Sequence, residues 1–113
     1  MHEMSLCQGI VEIIRERAAL DGFQRVRVVR LQVGALSHVE PEALVFGFDV
    51  VSRGTPAEGA VLDIERPPGE AFCMDCTRTM PIAVRGDGCP ECGGYKLMIT
   101  AGDELRVKKL EVD

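Results

Sequence analysis

Two C-x-x-C pairs, Cys73-Met-Asp-Cys76 and Cys89-Pro-Glu-Cys92, stand twelve residues apart and constrain this chain more than any other feature. Each pair can turn two sulfurs toward one point, and four thiolates at one point match the tetrahedral preference of Zn²⁺. The twelve intervening residues are enough for one β-hairpin. Gly93 and Gly94 follow the second pair, where a tight knuckle needs backbone freedom that a Cβ restricts. Pro90 fixes a further φ angle inside it. The same ligands would hold iron in a rubredoxin-like site, or pair as disulfides in an oxidising compartment. A redox C-x-x-C fits less well, because two pairs so close together read as one site.

Length bounds what surrounds this site. At 113 residues the chain has room for one ordinary domain, or for a small domain plus a metal-stapled module. A ribbon spanning 69–99 is too short to bury a sufficient apolar core, so the metal has to hold it together. The chain carries a net charge of −5. Within 69–99, Arg78, Arg85 and Lys96 are outnumbered by Glu70, Asp75, Asp87 and Glu91. A zinc ribbon that grips nucleic acid carries a basic footprint, and this one does not, so no nucleic-acid partner is expected. No signal peptide, membrane span, internal repeat or low-complexity tract is visible, which suggests the cytoplasm, where thiols stay reduced and bind metal.

Apolar residues at Leu6, Ile10, Ile13, Ile14 and Ala18 predict a helix over 4–20, stopped by Asp21-Gly22. Ser5-x-x-Gln8 offers a capping box at its start, the alternative being a helix that begins a few residues earlier. A strand follows over 24–33, with a phase slip after Val26 and Val28 that suggests a bulge or cover on both faces. Ser37-x-x-Glu40 and Pro41 mark a second helix, whose apolar side is read as Ala43, Leu44, Phe46, Gly47, Val50 and Val51, closed by Gly54. Residues 60–66 form another strand, and Pro67-Pro68-Gly69 breaks the chain before the ribbon. Past Ala101-Gly102, Leu105 and Val107 begin a final strand that must pair with strands preceding the ribbon. The expected fold is therefore α+β: two helices on a mainly antiparallel sheet over 1–68 plus 100–113, interrupted by a zinc ribbon at 69–99.

The remaining chemistry lies in Met1-His2-Glu3. A bulky second residue disfavours removal of the initiator Met, which leaves the α-amine and an imidazole one peptide apart. With the backbone nitrogen between them they can chelate one ion, and planar nitrogen donors suit Ni²⁺ or Cu²⁺. By itself, an N-terminal histidine reads first as a solvated residue of no consequence, and the metal site is the weaker reading.

Further segments weigh on that choice. Met1-His2-Glu3-Met4-Ser5-Leu6, Val33-Gly34-Ala35-Leu36-Ser37 and Val39-Glu40-Pro41-Glu42-Ala43-Leu44 resemble the HypA/HybF family of hydrogenase nickel-incorporation proteins. Gly54-Thr55-Pro56, Gly59-Ala60, the four cysteines and Gly102-Asp103-Glu104-Leu105-x-Val107-Lys108-x-x-Glu111-Val112 fit the same pattern in order. The resemblance covers nearly the whole chain and implies a nickel metallochaperone with two metal domains. His2 would be the essential nickel ligand, helped by the amine of Met1 and the backbone amides of His2 and Glu3. Glu3 would tune the site or contact a partner. Cys73, Cys76, Cys89 and Cys92 would hold a structural zinc, with Ni²⁺ as transient cargo. The implied partners are a HypB-type GTPase and the large subunit of a [NiFe]-hydrogenase, served by a monomer or weak homodimer without turnover of its own.

A rival reading is a zinc-ribbon adaptor with no nickel role; another is a small iron redox protein. Cys7 could be a further nickel ligand, but a lone Cys on an apolar helical face reads first as a small buried hydrophobe. His38 falls in a loop, where an uninvolved histidine is the plainer reading, and Met74 and Met80 read as packing.

Overall fold

The structure is a computed structural model that describes residues 3–113. Its elements run α1 (Glu3–Asp21), β1 (Val26–Val33), α2 (Pro41–Val51), β2 (Val61–Glu65), β3 (Glu70–Cys73), β4 (Arg78–Pro81), β5 (Leu97–Ala101) and β6 (Leu105–Val112). Two three-stranded sheets result, ordered β2-β1-β6 and β4-β3-β5. The last strand lies beside β1, as a strand beyond the ribbon must. The architecture is α+β.

The described residues form two compact units. One comprises the residues up to Leu31 with His38–Ile64 and Val107–Asp113; the other comprises Gln32–Ser37 and Glu65–Arg106. The unit that holds the thiols includes Gln32–Ser37, the end of β1 and the turn after it. Leu36 of that segment is buried with Ala71 and Ile82, and Leu97 and Ile99 pack against them.

In the first unit α1 packs on α2. Cys7, Ile10, Val11 and Ile14 form the buried stripe, at the i, i+3, i+4, i+7 spacing of one helical face. The expected stripe is therefore rotated: Ile13 is 43% exposed. Gly22, at φ +79, stops the helix, its N–H donating to the carbonyl of Ala18 at 2.9 Å. Among the described residues α1 already runs from Glu3, so Ser5 lies inside it and the earlier start is the alternative that holds. At α2 the N-cap is Glu40, without a side-chain capping bond, and Pro41 takes the first helical position. Ser37 donates instead to the carbonyl of Gly34, 2.7 Å away, in the preceding turn. α2 buries Leu44, Gly47 and Phe48, whereas Phe46 is 71% exposed. In β1, Val26 is buried and then Val29, Leu31 and Val33, which is the expected phase slip.

In the second unit β3 pairs antiparallel with both β4 and β5, Cys73 lying opposite Arg78 on one side and Leu97 on the other. The twelve residues between the cysteine pairs do not form their own hairpin. They contribute one strand, β4, and an irregular loop, while the β3–β4 hairpin turns on the first pair itself. No helix among the described residues is long and apolar enough to cross a membrane.

Candidate metal centre

Two knuckles of like construction bring the four thiols together. In the first, the N–H of Thr77 donates to the carbonyl of Cys73 at 2.7 Å, with Thr77 in the left-handed region at φ 56. In the second, the N–H of Gly93 donates to the carbonyl of Cys89 at 2.8 Å, with Gly93 at φ 72. The first knuckle thus imposes on a β-branched residue a conformation that glycine adopts without strain in the second. Backbone N–H groups also point at sulfur: Cys76 at the Sγ of Cys73 and Gly94 at the Sγ of Cys92, both 3.4 Å.

The four Sγ atoms all lie within 4.8 Å of one another. Cys73 and Cys92 are 3.7 Å apart, and Cys76 and Cys89 are 3.9 Å apart. A tetrahedron of thiolates about 2.3 Å from a zinc-sized ion has an edge of roughly 3.8 Å, so the spacing is that of four ligands to one ion. It is also well beyond the S–S bond of about 2.05 Å, so disulfides are not what the geometry serves.

Electrostatics agrees. Cys76 is pushed up to about 12, first by hydrogen bonding with the Cys92 thiol and then by desolvation and the neighbouring thiols. Cys89 is pushed down, chiefly by the backbone N–H of Cys92. Four sulfurs this close cannot all ionise unless a cation sits among them. Met80 is buried with Cys73 and Cys89, while Cys92 is exposed, so the cluster is dry on one side and open on the other. Met80 packs as expected; Met74 is 52% exposed and does not.

Cys7 lies in the other unit, fully buried, its thiol donating to the carbonyl of Leu44 at 3.2 Å. Burial and then the charge of Glu3 push this thiol up, which suits a small hydrophobe rather than an ionised ligand. His38 is exposed in its loop. The nickel-ligand expectations for Met1 and His2 lie outside the described residues. Glu3 is described, and the backbone N–H of Glu40 donates to its Oε2 at 3.2 Å. Sequence reasoning did not find that contact, since nothing local in Glu3 or Glu40 signals it.

Comparison with known proteins gives a consistent result. The family profile described as "Hydrogenase/urease nickel incorporation, metallochaperone, hypA" matches residues 1–112. The chain is 56% identical over 113 residues to the hydrogenase maturation factor HypA of Rhodopseudomonas palustris strain BisA53, covering all of both chains. It is 55% identical, again over the full length of both, to the factor of the same name from Alkalilimnicola ehrlichii. Among solved structures, a solution structure of HypA protein superposes with a TM-score of 0.74 at 26% identity, over 99% of this chain and 96% of that one. The solution structure of the Ni metallochaperone HypA from Helicobacter pylori gives 0.72 at 24% identity, over 99% and 97%, and bears on the fold alone.

Proposed function

Because the chain belongs to the HypA family of hydrogenase/urease nickel-incorporation metallochaperones, we propose that it binds Ni²⁺ at its N-terminus and hands it on during maturation of a [NiFe]-hydrogenase. His2 supplies the imidazole, Met1 the terminal amine, and the backbone of His2 and Glu3 the remaining nitrogen donors. Cys73, Cys76, Cys89 and Cys92 hold a structural Zn²⁺. A HypB-type GTPase and the hydrogenase large subunit are the partners, in the cytoplasm, and nucleotide hydrolysis belongs to the GTPase rather than to this chain.

The observation that carries this reading is the full-length match, because it takes in Met1-His2-Glu3 together with the four cysteines. Zinc is favoured for the cluster by the thiolate donor set and its tetrahedral spacing. The division of labour has a physical basis. A carrier must release its ion, so a site at a chain end suits cargo, while a closed four-thiolate site suits a resident ion.

Titration of Ni²⁺ into the zinc-loaded protein tests the reading, using the native terminus, His2→Ala and a short N-terminal extension. The native protein is expected to take up one Ni²⁺ per chain, and both variants to lose it with zinc unchanged. Lowering the pH should empty the site, because imidazole and amine must be deprotonated to bind. Equal binding by all three samples places the nickel site elsewhere. No binding by any of them leaves the zinc-ribbon adaptor as the better account.

A further inference from the structure

The charges around the four thiols are placed in a pattern. In both C-x-x-C pairs the residue before the second cysteine is acidic, Asp75 in the first and Glu91 in the second. Each faces a cation that follows the other cysteine pair. The guanidinium of Arg78, just past Cys76, pairs with the Glu91 carboxylate, and the Nζ of Lys96, beyond Cys92, lies 3.8 Å from Asp75. Arg78 opens β4 and stands opposite Cys73 in the β3–β4 register, so it is rooted beside the first knuckle. The second knuckle has less to hold it. Its hydrogen bonds close on themselves, Gly93 N–H to the Cys89 carbonyl and Cys89 N–H to the Gly94 carbonyl, both 2.8 Å. Among the described residues it reaches the first knuckle through the packing of Cys89 against Cys73 and Met80, through the sulfurs, and through Glu91 on Arg78.

The second ion pair differs in kind. The Lys96 carbonyl already accepts from the N–H of Met74 at 3.0 Å, so Asp75 and Lys96 join backbone that is joined without them. Beside a set of thiolates a carboxylate is the wrong charge, because like charges disfavour one another. Glu91 belongs there only if its cation stands on the facing knuckle. We propose that Arg78 and Glu91 are positioning residues, an ionic tie between the two knuckles that slows escape of the ion from Cys73, Cys76, Cys89 and Cys92. The inference rests on the Zn²⁺ assignment made above. Two knuckles that share one ion act as a divalent chelator: when one lets go, the local concentration of its thiols decides whether the ion is recaptured. A tie between the knuckles keeps that concentration high. The pair is half-exposed, so its effect is a few-fold in rate and fades with salt.

The test uses the full, zinc-loaded chain as wild type, Arg78→Gln, Glu91→Gln, the Arg78→Gln/Glu91→Gln double variant, the reversed pair Arg78→Glu/Glu91→Arg, and Lys96→Gln. Release of Zn²⁺ into a colorimetric chelator is timed at about 0.01 M and about 1 M ionic strength, where the screening length falls from about 30 Å to about 3 Å. At low salt each single variant of the tie is expected to lose Zn²⁺ about threefold faster, and the double variant no faster than either. The reversed pair should return close to the wild-type rate. At high salt all of them should converge to within about 1.5-fold, and Lys96→Gln should stay within about 1.5-fold of wild type at both. Co²⁺ in place of Zn²⁺ should give one thiolate absorption spectrum throughout, because the ligands do not change. A Glu91→Gln that releases Zn²⁺ more slowly than wild type overturns the proposal, since removing a negative charge then acts through the field at the thiolates and not through a tie. Equal rates throughout, or a reversed pair as fast as the double variant, overturn it as well. A wild-type chain that takes up Co²⁺ but no Zn²⁺ overturns the zinc assignment instead, and the Co²⁺ release rates of the same series then judge the tie. A chain that takes up neither ion ends both.

Discussion

A Cβ on Gly34 would lie 2.0 Å from the carbonyl oxygen of Gly102, and one on Gly102, at φ +95, would lie 2.5 Å from the Cα of Gly69. Three backbone segments therefore cross where no side chain fits. The crossing is closed by hydrogen bonds from Gly34 N–H to the Glu104 carbonyl and from Leu36 N–H to the Gly102 carbonyl, both 2.7 Å. Gly34→Ala has to push backbone from backbone and break these bonds, so we expect a loss of about 3 kcal/mol or more. Gly9→Ala is the control: nothing lies within 4 Å of its Cβ, and in mid-helix the change should stabilise by up to about 1 kcal/mol. Urea midpoints of the two zinc-loaded variants check this, and equal midpoints would remove the steric argument. The clustering of the four thiols was legible in the sequence because each pair closes its own knuckle through local bonds. The glycine crossing was not, since its partners are remote in the chain and leave no local pattern. The same holds for the contact between Glu3 and Glu40.

At the scale of elements, periodicity reported that two helices exist but not which way α2 faces. Its apolar residues surround the helix almost completely, so several stripes fit equally well. Packing decides instead: Gly47 gives the close approach to α1, and its neighbours Leu44 and Phe48 turn inward with it, leaving Phe46 outside. The sheet of the same unit carries a second device that alternation alone does not reveal. Arg30 on β1 pairs with Asp63 on β2 and with Glu111 on β6, joining all three strands through one guanidinium. Hydrogen bonding to Arg30, and then its charge, hold Glu111 below the usual carboxylate range. A folded-state pKa lowered in this way stabilises the protein above the unfolded carboxylate value and is lost as pH falls through the lowered one. Glu111→Gln should therefore unfold at lower denaturant than wild type near neutral pH, with the gap closing in acid below about pH 4. A gap that stays constant across that window would show that Glu111 contributes through packing rather than charge.

The two units of the whole molecule rest on different supports. The first has a helix pair and a sheet, and buries Ile14, Val29, Leu31, Leu44 and Phe48. The second has two small clusters, Leu36 with Ala71 and Ile82, and Cys73 with Met80 and Cys89. All three buried residues of the second cluster carry sulfur, and two of them are thiols of the metal centre, so the apolar area available there is slight. Binding to a structural four-thiolate site is worth on the order of 10 kcal/mol at neutral pH, which exceeds anything these few side chains supply. Stripping the ion with a strong chelator should therefore abolish hydrogen-exchange protection in β3, β4 and β5, while α1 and α2 keep theirs. Cys73→Ser should reproduce the pattern without chelator, because it removes a buried thiol of the cluster and leaves three. Loss of protection in α1 and α2 at the same chelator concentration would mean that the molecule folds as one cooperative body, and the small cores of the second unit would then have to be stabilised by the first rather than by the ion.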